Sequence, residues 1–238
     1  MRIRRIWIIL IISLACFLVI NAPAKILTPY LKSSINFPFT LNGSIWNGSM
    51  QSKYFDIVSW KVNTTSLLLA NVSTEIQVEI DNLNKINAEA NINPFGKLKI
   101  NITSGSLTTQ YLQQFLPNIP LLLSSTINLD QTILQWSSQL PPNLPTEAEG
   151  KLVIKRANFL GENLGDYSFN FTYTGRSLDG ELASSESSNV DALLKVAISN
   201  KNLLTIKGSI LPKSESLKSI FDELNVDLNP NIRLNLSF

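Results

Sequence analysis

From residue 36 onward, apolar and polar side chains take turns along the chain, and this rhythm restricts the fold more than any other feature of the sequence. Val72, Thr74, Ile76, Val78 and Ile80 alternate with Ser73, Glu75, Gln77, Glu79 and Asp81. Ile86, Ala88, Ala90 and Ile92 repeat the pattern, as do Leu98, Ile100 and Ile102. Ile127, Leu129 and Ile133 follow, then Leu152 and Ile154, then the aromatic stripe Tyr167, Phe169, Phe171 and Tyr173. Leu194, Val196 and Ile198, then Leu204, Ile206 and Ile210, and finally Ile232, Leu234, Leu236 and Phe238 complete the series. Successive side chains of a strand point to opposite faces, so period two implies strands that are apolar on one side and wet on the other. A long run of them describes an antiparallel meander with a single greasy face. Asp81-Asn82, Asn93-Pro94-Phe95-Gly96, Asp179-Gly180 and Ser199-Asn200 stand at the breaks as expected turns.

Two stretches leave this rhythm. Residues 108–116 place Tyr111, Leu112, Phe115 and Leu116 at helical spacing and stop at Pro117; residues 214–224 do the same with Leu217, Ile220, Phe221 and Leu224. Both open near a Ser-Leu pair (Ser106-Leu107, Ser216-Leu217), and both are followed by the same words, Pro117-Asn118-Ile119 and Pro230-Asn231-Ile232. An internal duplication would produce this, with each half a meander closed by a helix and a returning strand. Chance in a chain rich in Leu, Asn and Ser would produce it as well. Between the halves, Pro141-Pro142 and Pro145 mark a connection, because proline cannot serve a central ladder.

The amino-terminal segment is of another kind. Arg2, Arg4 and Arg5 precede an uncharged apolar run from Ile6 to Ile20, which continues through Asn21, Ala22, Pro23 and Ala24 to Lys25. Basic residues before an apolar stretch are the pattern of an export or membrane signal with its basic end in the cytoplasm. The strictly apolar part is short of the roughly 17–25 residues that span a bilayer, and residues 21–24 bring it into range. Ala22-Pro23-Ala24 also fits a small-x-small cleavage site, so an anchor is the preferred reading and a cleaved signal the alternative. Cys16, the only cysteine, lies inside the apolar run and suits a small buried hydrophobe; the exported part therefore has no disulfide.

Charge and composition exclude several functions. The chain carries 20 basic and 18 acidic residues, and without Arg2, Arg4 and Arg5 the balance is 17 to 18. A nearly neutral body does not suit nucleic acid, which needs a basic face. There is no histidine, so histidine-based nucleophile activation and histidine metal sites are excluded. The acidic residues fall singly in alternating stretches, as Glu75, Glu79 and Asp81 or Asp179 and Glu181 do, which fits the solvated face of strands rather than a catalytic pair. No cofactor or metal is expected.

At Leu41-Asn42-Gly43-Ser44-Ile45-Trp46-Asn47-Gly48-Ser49, the chain resembles the type II secretion system protein N family, which carries a Gly-x-aliphatic-Trp-x-Gly element soon after its membrane segment. Val58-Ser59-Trp60-Lys61-Val62, the aliphatic run through Leu67, Leu68 and Leu69, Gly150, Leu164-Gly165-Asp166-Tyr167 and the stretch from Leu204 through Pro212 continue the resemblance in order. Gly43, Ile45, Trp46, Gly48 and Trp60 are the motif residues singled out. Trp46 and Trp60 either pack at the end of a sheet or, as exposed tryptophans do, dock a partner.

The resemblance implies a mainly β fold: a curved antiparallel meander of the AsmA-like, repetitive β-groove type, with two short helices, after one N-terminal transmembrane helix. The expected organisation is a cytoplasmic tail (1–5), an anchor (6–24), a linker (25–35), a first β half (36–136), a proline-rich connection (137–146) and a second β half (147–238). It implies a non-enzymatic accessory component of the bacterial inner membrane, single-pass, with its body in the periplasm and other type II secretion inner-membrane components as partners. A periplasmic lipid-binding or lipid-transfer groove is the alternative, with phospholipid as partner. Full burial of one apolar side chain is worth roughly 1.5–3 kcal/mol, so a long greasy face needs a cover. An outer-membrane barrel, suggested by the final alternating strand, fits poorly with three tryptophans beyond residue 24, two helical insertions and Pro141-Pro142.

Overall fold

The computed structural model describes residues 11, 13–14, 17–34, 37–113, 123–137, 145–199, 203–223 and 232–237. They contain the strands β1 (Phe39–Gly43), β2 (Asn47–Ser52), β3 (Phe55–Asn63), β4 (Val72–Glu79), β5 (Lys85–Ile92), β6 (Leu98–Thr108) and β7 (Leu123–Trp136). After these come β8 (Glu147–Phe159), β9 (Glu162–Tyr173), β10 (Leu178–Ser184), β11 (Val190–Ile198), β12 (Leu203–Pro212) and β13 (Ile232–Ser237). All thirteen form one sheet whose spatial order is the order of the sequence. Every neighbouring pair is antiparallel, which short connections allow and parallel pairing would not. A closed barrel would need β1 to pair with β13; these two strands are instead the ends of an open sheet.

Because paired residues share a face, the register shows what the alternation builds. One lateral row runs Leu41, Met50, Val58, Val78, Ile86, Gly105, Leu129, Leu152, Phe169, Leu182, Leu194, Gly208 and Ile232, one residue from each strand. It holds eleven apolar residues and two glycines. A polar row on the other face runs Asn42, Ser49, Ser59, Gln77, Asn87, Ser104, Asp130, Lys151, Asn170, Glu181, Lys195, Lys207 and Arg233. The strand periodicity thus becomes a two-sided sheet, apolar across its whole width on one side.

That apolar side is not a closed core. Most described side chains of the row, from Met50 to Leu194, are half-buried, whereas the fully buried apolar residues are Ala24, Leu41, Ala148, Ala157, Tyr167, Val190, Ala192 and Leu217. Among the described residues, a local cluster of buried side chains joins Ala157, Tyr167 and Ala192, with Ile154, Leu164, Leu182 and Ile210 packed against it.

Besides the helical residues 11, 13–14 and 17–20 of the amino-terminal segment, the described residues contain the α-helices α1 (Thr28–Ser34), α2 (Thr109–Gln113) and α3 (Glu215–Glu223), with 3-10 turns at Ala24–Leu27 and Ser66–Leu69. α2 and α3 stand where helical spacing put them, between β6 and β7 and between β12 and β13; residues 114–116 and 224, the ends of those expected helices, lie outside the described residues. Ser214 Oγ accepts a hydrogen bond from Leu217 N at 3.3 Å, capping α3, and Leu217 is 1 % exposed. α1 is a third helix that the sequence reading had not set out, within the stretch taken as a linker. The repeated words at 117–119 and 230–231, Cys16 and the prolines at 141–142 lie outside the described residues.

One expected turn is corrected. Asp179-Gly180 lies within β10, with Asp179 paired to Thr172 and Ala197 and Gly180 to Phe171 and Val196. The turn is at 174–177, closed by Thr174 N to Ser177 O at 3.1 Å. The glycine is used for space instead: the Phe169 ring occupies the place of a side chain at 180.

Candidate functional site

The motif residues converge on the hairpin between β1 and β2. Gly43 and Gly48 are paired across it, and Ser44 N donates to Asn47 O at 2.9 Å to close the turn. Gly43 sits at φ +82, where a side chain would also meet Asn47 O at 2.6 Å, so glycine is required twice over. Gly48 is buried beneath Trp60, whose indole ring atom Cζ2 fills the space of a Cβ at 48. The Trp60 ring is fixed in turn, because its Nε1 donates to Ile45 O at 3.1 Å.

Ile45 and Trp46 form the tip, and both reach back to the amino-terminal segment. Residues 17–20 are helical, and Asn21 N donates to Phe17 O at 3.1 Å at their end. Trp46 Nε1 donates to Val19 O at 2.8 Å, a carbonyl at the end of the helical stretch that also accepts from Ala22 N at 3.2 Å. Ile45 N donates to Ala22 O at 3.0 Å, and Pro23 bridges to Ser44. Trp46 O accepts from Val62 N at 2.7 Å, tying the tip to β3. Ala24, next in the chain, is 0 % exposed. The hairpin is therefore a socket for the end of the apolar segment, with Trp46 as its hydrogen-bonding arm and Trp60 as the floor over Gly48.

The sequence reading did not foresee this use. It took Ala22-Pro23-Ala24 as the end of an anchor, with a cleavage site as the alternative, and Trp46 as either a sheet plug or a partner contact. The small residues are where the chain passes closest to the hairpin. Their spacing alone could have suggested a tight backbone approach, but it could not name the opposite wall.

A second knot holds Leu164-Gly165-Asp166-Tyr167. Ser188 Oγ donates to Asp166 O at 2.6 Å and accepts from Asp166 N at 3.1 Å, while Asp166 Oδ1 accepts from Arg156 N at 2.8 Å at the bulge of β8. The Tyr167 hydroxyl lies 3.0 Å from Leu164 O and 3.3 Å from Val190 O. Burial, with a smaller contribution from Asp191, pushes its pKa up to about 12. Ser188 Oγ, Asp166 Oδ1 and the Tyr167 hydroxyl are each turned to a backbone partner, so the knot is a structural fastening. Among the described residues, no group of three Cys, Asp or Glu stands close enough to hold a metal ion.

A family model for type II secretion system protein N matches residues 40–226. The chain belongs to this family. The match takes in the socket, Trp60 and the Leu164–Tyr167 knot, and it gives the chain an accessory role in type II secretion. No curated protein and no solved structure matches.

Proposed function

We propose that the protein is a non-enzymatic scaffold of the type II secretion apparatus, tethered by its amino-terminal segment to the bacterial inner membrane. The basic residues at 2, 4 and 5 lie in the cytoplasm and the sheet in the periplasm, where it meets other inner-membrane components of the machine. The observation that carries this reading is the socket: hydrogen bonds from Trp46 Nε1 and Ile45 N join the end of the apolar segment to the edge of the sheet. Such a joint orients a body relative to its anchor, which a free linker would not. Exposure of the segment supports the tether. Ile11, Leu14, Phe17, Leu18, Val19 and Ile20 are 52–66 % exposed, so the sheet does not cover them and a bilayer would. No helix among the described residues is long and apolar enough to cross a membrane, and residues 1–10, 12, 15 and 16 are outside that set.

The test is deletion followed by complementation. Without the protein, secretion of folded exoproteins and recovery of the intact inner-membrane complex should both fall, and Trp46→Ala should restore them only in part. Unchanged secretion and assembly after deletion would remove the proposal.

A second reading is favoured by the apolar row that spans all thirteen strands with no layer over it among the described residues. An open face of that kind would accept phospholipid tails. Native mass spectrometry of the intact protein, released from a membrane mimic, should then retain phospholipid; a bare chain would rule this reading out.

A further inference from the structure

Antiparallel pairing sorts the turns into two sets, one at each end of the strands. The β1–β2 hairpin lies at the end where the amino-terminal segment arrives, through the Pro23–Ser44 bridge and the Trp46 to Val19 hydrogen bond. Asn47 pairs with Lys61, Asn63 with Ser73, and Val72 with Ile92, so the β3–β4 turn (64–71) and the β5–β6 turn (93–97) share that end. The β7–β8 and β9–β10 connections follow, because Leu98 pairs with Trp136 and Ala148 with Tyr173. At about 4.8 Å per strand, the β5–β6 turn stands roughly 20 Å from the hairpin.

The two sets differ in charge. At the end that meets the segment, the described turn residues are 44–46, 64–71, 93–97, 137, 145–146, 174–177 and 199; they include Lys97 and Arg176 and no acid. The nearest acids, Glu147 and Asp179, stand inside β8 and β10. Described turns at the opposite end carry Asp81, Glu186, Glu215, Asp222 and Glu223 against Lys53, Lys213 and Lys218. Lys97 is exposed, and the ion pairs among the described residues do not include it. Lys25, also exposed, stands just past the apolar segment.

The same end is apolar at its tips. Phe95 is 79 % exposed, Ile92 43 % and Leu67 36 %. The backbone under Phe95 is fixed: Asn93 Oδ1 accepts from Phe95 N and from Lys97 N, each at 3.0 Å, and Asn93 N donates to Lys97 O at 3.1 Å. Exposed apolar tips do not by themselves choose a partner, since Leu83 at the far end is 70 % exposed. Its turn, however, holds Asp81, which an anionic surface repels. An aromatic ring beside an exposed lysine, in turns without acids, suits the headgroup boundary of a bilayer, where rings settle and basic residues meet anionic lipid.

We propose that the β3–β4 and β5–β6 turns, through Leu67, Ile92, Phe95 and Lys97, rest on the anionic phospholipid surface of the bilayer that the amino-terminal segment enters. This rests on the tether reading above and adds a second, peripheral contact to it. One attachment at the hairpin leaves the sheet free to tilt; a second, roughly 20 Å away along the strand order, fixes that tilt.

The test uses the full chain carrying Cys16→Ala and one new cysteine, Pro94→Cys or Asn82→Cys, labelled with an environment-sensitive fluorophore. Both positions are exposed, one beside Phe95 and the other beside Leu83. Each protein is reconstituted into vesicles of phosphatidylethanolamine and phosphatidylglycerol, or of phosphatidylcholine alone, with a nitroxide-labelled phospholipid as quencher. In the anionic vesicles the label at 94 should be quenched about twofold more than the label at 82, and added salt should narrow the gap. Phe95→Ser or Lys97→Glu should bring 94 down to the level of 82; both side chains are exposed, so neither change threatens the fold. Equal quenching at the two positions, the same quenching in both lipid compositions, or indifference to either substitution would each overturn the proposal. Flotation separates this contact from the tether. A chain that floats with vesicles while 94 stays unquenched keeps its anchor and loses only the second contact; a chain that does not float loses both.

Discussion

Thr132 Oγ1 lies over Gly150, only 2.5 Å from where a Cβ on that glycine would stand. Thr132 is 3 % exposed, and its hydroxyl has no hydrogen-bond partner. It sits where the register of β7 against β8 slips between Asp130 and Ile133. A buried unsatisfied hydroxyl costs about 1–3 kcal/mol, and valine has nearly the same shape. Thr132→Val should therefore stabilise the protein by about 1 kcal/mol, raising the melting temperature by roughly 2–4 °C for a chain of this size. Calorimetry checks this, and Gly150→Ala should act in the opposite direction.

Gly48→Ala should be among the more damaging single substitutions. The new methyl group meets the Trp60 ring and lies 2.7 Å from Ser44 O and 2.8 Å from Asn42 O. Overpacking of this kind costs about 1–3 kcal/mol. Adding Trp60→Phe, which trims the ring, should recover part of the loss in a double-mutant cycle of denaturation midpoints. The two backbone oxygens keep the recovery incomplete.

Trp46→Phe keeps an aromatic ring and removes only the donor to Val19 O. The sheet should retain its stability to within about 1 kcal/mol. The joint should not. Limited proteolysis followed by amino-terminal sequencing should show faster cutting between residues 20 and 36 than in the wild type. An unchanged pattern would mean that Ile45 and Pro23 hold the segment without the indole.

Alkaline stability should report on Tyr167. Its folded-state pKa, raised to about 12, exceeds the ordinary tyrosine value of 10.0 because the buried phenol resists ionisation. The stability this contributes is complete below pH 10 and is lost as pH rises from about 10 to about 12, where the unfolded chain ionises first. Tyr167→Phe should flatten that part of the stability curve. At neutral pH it should cost about 1 kcal/mol through the lost contacts with Leu164 O and Val190 O.

Asp81 should act at the acid end. Hydrogen bonds from the Asn84 side chain and the Leu83 backbone hold its pKa below the ordinary carboxylate value of 3.8. A lowered folded-state pKa gives stability present above the unfolded value and lost as pH falls through the lowered one. Asn84, 2 % exposed, also accepts from Thr108 N at 2.6 Å, so protonation loosens a link between the β4–β5 turn and the end of β6. Asp81→Asn should remove this part of the acid dependence, as followed by circular dichroism between pH 5 and 2.

What the residues revealed in advance was the sheet, because alternation is a local property that each strand states alone. Ile76 and Ala88 declare their face without knowledge of each other, and the register then pairs them. Asp179-Gly180 misled because that pair is a turn signal only in the absence of strand pairing on both sides; Phe169, eleven residues before Gly180, decided the use of the glycine. The tip of the first hairpin was recognisable as a motif, yet its contact with Val19 depends on a hydrogen bond across 27 positions that no spacing rule encodes. The place of β13 at an end of the sheet was hidden for the same reason, since only the order of strands distinguishes an end from a middle.

That order has a kinetic corollary. Each strand bonds to the strand just before it in the chain, so no pairing has to wait for a distant part of the polypeptide, and loop-closure entropy stays small at every step. A chain emerging amino end first can lay each hairpin on the one already formed, from β1 outward, while its growing rim is always the newest strand. The last strand laid down, β13, then forms the rim opposite the β1 hairpin, so the two rims are made at the two extremes of that order in time.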